Sequence, residues 1–186
     1  MKAIARVLLA GTLLLSGCTS SAADPAPTPA ARAASQFGGT DLAWIEINIA
    51  MDEELLPLLE IVPEHSGSDS LQALALQVQG FTTAELSALR ALHDQAGLPS
   101  ENPHKGMPMP GMVTPDDVTK AAALTGKDFD AYVLKLIQEH LDQSQNLAES
   151  EDKSGVEEQT RSLATQILRT RELAETTLKN ASQKAS

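Results

Sequence analysis

The chain has 186 residues, 42% of them hydrophobic but only 3% aromatic, with a formal net charge of −11 and a single cysteine. That charge repels phosphate backbones, and so few rings leave no platform for stacking bases, so nucleic acid is excluded as a partner. A lone cysteine also excludes an intrachain disulfide.

The N-terminus reads "MKAIARVLLAGTLLLSGC". Lys2 and Arg6 precede an apolar run from Val7 to Leu15, and small residues lead to Cys18. The run is shorter than the roughly 20 residues of a membrane span, and the order is that of a secretory signal. "LSGC" resembles the bacterial lipobox, whose cysteine is lipidated and becomes the new N-terminus. Residues 1–18 are therefore expected to be a lipoprotein signal peptide with Cys18 as the lipidation site. The alternative is an ordinary cleaved signal with a chance cysteine. Loss of Lys2 and Arg6 with the signal takes the charge two lower, from −11 to −13. Residues 19–39 are rich in Ala, Pro and Ser and lack apolar periodicity, which suits a disordered tether. A folded domain is expected over 40–180, anchored to the membrane by the N-terminal lipid in the cell envelope.

The first helix is expected from Asp41 to Ile61, with Thr40 at the N-cap and Asp41 facing the positive helix end. Pro57 should kink it or end it early, because its ring removes a backbone donor. The second runs from Ser70 to Gln95, with Leu71, Leu74, Val78 and Phe81 forming a seam, and Gly97 and Pro99 stopping it. "TPDD" opens a short helix at Thr114, Pro115, Asp116 and Asp117. A long helix follows from about Asp128 to Ser150, and "SGVE", Ser154 to Glu157, reads as a capping box for the last helix. Strand signals are absent.

One offset of 89 positions relates two halves, about 41–96 and 128–180. Asp41 falls on Asp130, Leu58 on Leu147, Leu74 on Leu163 and Gln77 on Gln166; "LALQV" matches "LATQI". A single offset held across two segments points to a duplicated helical hairpin. The expected fold is all-α, a four-helix bundle with a longer central connection and a short extra helix within it.

"TDLAWIEINIAM" and "GMPMPGMVTPDDVTKAAALTGKDFDAYVLKLI" resemble the bacterial ferritin-like bundles catalogued as domain of unknown function 305. The resemblance implies a ferritin-like duplicated hairpin, secreted or lipid-anchored. It also implies copper binding, associated with some members, at paired histidines in each half. In this chain those pairs fall on Met51 and Asp52 and on His140 and Leu141, so His140 alone carries over.

Phe129, Val133, Leu136, His140 and Leu147 share one helical face, which turns His140 inward. Its repeat partner is Met51, and the two should approach near the bundle centre. A thioether and an imidazole suit copper(I), with Asp52 or Glu139 orienting the ring. A core histidine beside a gap-filling methionine is the alternative. The connection at 100–113 holds His104, Met107, Met109 and Met112, again soft donors for copper(I). Otherwise it is a connector whose methionines rest on the bundle's end. His65 and His93 read as surface or capping residues. Nucleophile motifs, phosphate loops and the Glu-x-x-His pairs of di-iron bundles are absent, so no enzyme is expected. The expected function is a non-catalytic helical-bundle lipoprotein, requiring no cofactor and binding or buffering copper. The alternative is an interaction or scaffold module with an envelope protein as partner.

Overall fold

The computed structural model describes residues 36–185. The expected signal peptide, Cys18 and nearly all of the 19–39 tether lie outside the described residues. Among the described residues six helices and no strand occur: α1 (Gly39–Glu60), α2 (Val62–His65), α3 (Asp69–Ala96), α4 (Pro115–Ala122), α5 (Gly126–Ser154) and α6 (Glu158–Ala185).

The helix ends follow local chemistry, with some shifts. Thr40 lies inside α1; Gly38 takes the cap position and its N–H donates to Asp41 Oδ2 at 2.6 Å. α1 runs past Pro57 to Glu60, so the proline does not end it early. Ser68 caps α3 by accepting from Leu71 N–H, and Gly97 closes that helix at φ 68°. Thr114 and Asp117 cap α4 reciprocally. α5 extends to Ser154, so Ser154 does not open the next helix. Glu157 serves α6 instead: its Oε2 accepts from Thr160 N–H at 2.6 Å and Thr160 Oγ1–H at 2.7 Å.

Two repeat-related aspartates reveal the topology. Asp41, at the start of α1, accepts from Val156 and Glu157 N–H at the head of α6. Asp130, at the start of α5, accepts from Ser66 Oγ–H just ahead of α3, at 2.6 Å. So α1 and α6 begin at one end, and α3 and α5 at the other. The principal contacts run α1–α3, α3–α6, α6–α5 and α5–α1, each pair antiparallel. The chain from Gly97 to Thr125 must then travel the bundle's full length, giving a four-helix bundle with one long crossover, the ferritin-like arrangement.

The apolar core falls into two blocks. Leu58, Leu74, Val78, Phe129, Ile137 and Leu178 fill one. Trp44, Ile45, Leu89, Ala148, Leu163 and Ile167 fill the other. Each fully buried large side chain contributes roughly 1.5–3 kcal/mol. Between the blocks, at the waist, the interior turns polar. No helix among the described residues is long and apolar enough to cross a membrane.

Candidate functional site

The waist is built from all four long helices. Arg171 on α6 is 1% exposed, yet all five of its N–H donors find acceptors. Nη1 and Nη2 reach Glu85 Oε1 and Oε2 on α3 at 3.1 and 2.8 Å, a bidentate pair. Nε and Nη2 reach Ser144 Oγ on α5 at 3.1 and 2.8 Å, and Nη1 reaches Thr170 Oγ1 at 3.2 Å. The guanidinium also lies 4.5 Å from the centre of the Phe81 ring.

Beside this satisfied ion pair sit two buried polar groups that are not satisfied. His140 on α5 is fully buried, and its Nε2 lies 3.8 Å from Asp52 Oδ1 on α1. That is beyond hydrogen-bond reach. Neither imidazole nitrogen has a hydrogen-bond partner, and neither does Asp52 Oδ2. Burial and then the Arg171 charge push the imidazole down to about 3, against a smaller opposing pull from the Gly111 backbone. The ring is therefore neutral at physiological pH and keeps a free lone pair, the form that ligates metals. Burial, reinforced by the Glu85 charge and opposed by Arg171, raises Asp52 well above the usual carboxylate range.

The crossover covers this seam as a strap along the bundle's side, not across its end. Asn102 Nδ2 donates to Glu46 O at 2.7 Å, and Gly106 N–H to Glu54 Oε1 at 2.6 Å, which fixes the strap to α1. It then turns inward at Gly111, φ 73°, against α5. A Cβ at Gly111 would run into Gln143 Cβ and come within 2.7 Å of Glu139 O, so only glycine allows the approach. The turn drives Met112 into the core, 7% exposed, against Ala50 and Met51, with Met109 at the margin.

The donors expected along the connection thus part company. Met112 joins Met51 in a small buried cluster, and Met109 is half-buried at its rim. Met107 faces outward, 45% exposed, and His104 is half-buried in the strap, its backbone N–H donating to Asn102 Oδ1 at 2.9 Å. Glu139 turns outward to Lys135 at 2.8 Å, leaving Asp52 as the carboxylate nearest the ring. Leu141, the fourth position of the histidine pairs, packs in the apolar core. His65 stacks on Phe129 with centroids 5.2 Å apart, and His93 Nε2 meets Pro99 O at 3.1 Å where α3 ends. A cleft of about 720 Å³, lined by Met109, Gly111, Met112, Tyr132, Glu139 and Gln143 among others, opens beside the strap.

The network of Glu85, Ser144 and Arg171 escaped the sequence reading. One signal was available: Ile167, Arg171, Ala174 and Leu178 recur at helical steps, so the arginine stands in an apolar seam. Among the described residues no group of three or more His, Cys, Asp or Glu is placed to hold a metal ion, so a metal here would depend on thioethers. The soft donors buried at this level are the neutral imidazole of His140 and the thioethers of Met51 and Met112, the ligand types that suit a soft ion.

The fold recurs in a solved structure, that of a DUF305 protein from Streptomyces coelicolor described as secreted. It is 19% identical, with a TM-score of 0.68, over 78% of this chain and 92% of that one. None of the curated proteins matches. The family described as Domain of unknown function (DUF305) matches residues 42–181, and the chain belongs to that family.

Proposed function

We propose that this protein is a non-catalytic, lipid-anchored bundle of the cell envelope that holds copper(I) at its waist through His140, Met51 and Met112. The supporting observation is His140 itself, sealed from water, with no well-formed hydrogen bond at either ring nitrogen and only the Gly111 backbone drawing on it. An unsatisfied buried polar group costs about 1–3 kcal/mol, so a bound ion would relieve a standing penalty. His140 meets Asp52, next to Met51, and the Gly111 backbone, next to Met112. Thioethers and imidazole favour copper(I) over hard cations. The extracytoplasmic location rests on the signal-like N-terminus and on the similar protein from Streptomyces coelicolor being described as secreted. The anchor would be Cys18.

A copper(I) competition titration against a chromophoric chelator, without oxygen, tests this. The full chain carries Cys18→Ser, so that its lone thiol is not the ligand. One copper per chain is expected, lost in His140→Leu and in Met51→Leu and retained in Met107→Leu. No retention at micromolar metal, or undiminished retention in His140→Leu, refutes the reading and leaves the interaction module as the alternative.

A further inference from the structure

Two carboxyl groups that the waist does not use are buried where α1 and α6 begin. Asp41 is 0% exposed and takes N–H donors from two segments: Gly38 at 2.6 Å on Oδ2, and Val156 and Glu157 at 3.0 and 3.2 Å on Oδ1. One carboxylate thus ties the residue ahead of α1 to the turn between α5 and α6. Glu151, in the last turn of α5, is also 0% exposed, and no amide or hydroxyl donor reaches either of its oxygens. The hydrogen-bonding group it meets is the Asp41 carboxyl. Gly155 makes room for it, because a Cβ there would collide with the Glu151 carboxyl.

Two carboxylates in contact and away from water cannot both ionise cheaply. We propose that Asp41 and Glu151 form a proton-binding site, in which one shared proton latches the start of α1 to the α5–α6 turn and its loss releases them. The backbone donors decide which group is the anion. Burial alone would raise Asp41, but hydrogen bonds from Glu151, Gly38, Glu157 and Val156 outweigh it and hold Asp41 below its usual value. Burial first, then the hydrogen bond to Asp41 and its charge, push Glu151 up to about 8; Glu157 adds to this and Arg161 opposes it. Below that value the latch is closed. Above it two anions face each other, and Gly38, which leads from the expected tether, comes free with the turn.

Carboxyl-carbon NMR of the full chain, titrated from acid to alkaline pH, reads the site without a substitution. A Glu151 midpoint near 8 is expected. A midpoint at the ordinary glutamate value overturns the proposal. Hydrogen exchange then tests release: protection at Val156 and Glu157, corrected for intrinsic base catalysis, should fall on the order of tenfold or more through the same midpoint. Glu151→Gln donates to Asp41 at every pH and should abolish that step while keeping the turn protected. A step that persists in Glu151→Gln, or protection that never changes in the unsubstituted chain, overturns the proposal as well.

Discussion

Replacing Glu85 by Leu strands a guanidinium in the middle of the bundle. Arg171 would keep the hydroxyls of Ser144 and Thr170 but lose its counter-charge, at 1% exposure. At the observed 2.8 Å and an effective dielectric of about 20, the pair's attraction is about 6 kcal/mol. Desolvating each ion costs several kcal/mol, so the intact pair nearly cancels and adds little net stability. Breaking it does not cancel. Glu85→Leu should destabilise by about 3–5 kcal/mol, a large part of the 5–15 kcal/mol that domains possess. Glu85→Leu with Arg171→Met should stay within about 1 kcal/mol of the unsubstituted protein, or exceed it, because both charges leave together. Urea unfolding followed by circular dichroism measures the cycle, and the single variant should lose roughly 2 M in midpoint. Additive single effects, or a Glu85→Leu cost under about 1 kcal/mol, would show that the pair behaves like a surface salt bridge and refute the reasoning.

Gly111→Ala should lift the strap, since the alanine must hold φ 73° and push against Gln143 and the Glu139 carbonyl. We expect a loss of at least about 1–3 kcal/mol from the strained backbone, and faster peroxide oxidation of Met112. Peptide mass spectrometry should find the order Met107, then Met112, then Met51 in the unsubstituted chain, and an unchanged Met112 rate in Gly111→Ala would contradict the strap geometry. For His140, the folded value of about 3 lies below the ordinary 6.5. Between these values the unfolded chain holds a proton that the folded chain lacks. Stability of the metal-free protein should therefore gain from His140 up to about 1.4 kcal/mol per pH unit as pH rises through that window. His140→Leu removes this slope, while Asp52, whose raised value tilts the opposite way, remains in both chains. Equal pH slopes of the urea midpoints would contradict a buried neutral imidazole.

The architecture was legible because it rests on repeated apolar spacing. The stripe of Phe129, Val133 and Leu136 placed His140 inside, and its 0% exposure follows from that period. Helix ends were less legible, because several residue types compete for the same orphan N–H groups. Thr40 has a suitable hydroxyl, but Asp41 binds three N–H groups, two of them across the bundle, and so draws the start of α1 back to Gly39. A local pattern carries no signal of a partner 115 residues away. The strap was hidden for the same reason. Nothing in "GMPMPGM" distinguishes Met107, in solvent, from Met112, in the core. That difference is made by Gly111 meeting a helix that begins 15 residues later.

The repeat also explains why the waist has one polar network and not two. At the offset of 89 positions, His140 corresponds to Met51, Asp52 to Leu141, Ser144 to Leu55, Arg171 to Thr82 and Glu85 to Ala174. Every polar member except Arg171 has an apolar counterpart, and Thr82, the counterpart of Arg171, is itself buried with an unpartnered hydroxyl. A symmetric bundle would set two arginines and two glutamates around one axis, doubling the desolvation cost with little room to satisfy either set. Sequence divergence between the halves resolves this by assigning one polar group or more to each helix: Asp52 to α1, Glu85 to α3, His140 and Ser144 to α5, Arg171 to α6. The Asp41 and Asp130 positions, which fasten the ends, keep their symmetry because each end needs its own fastening. The residues that break the repeat are thus the ones that give the centre its chemistry, and the offset that reveals the fold also marks, by its failures, where the site lies.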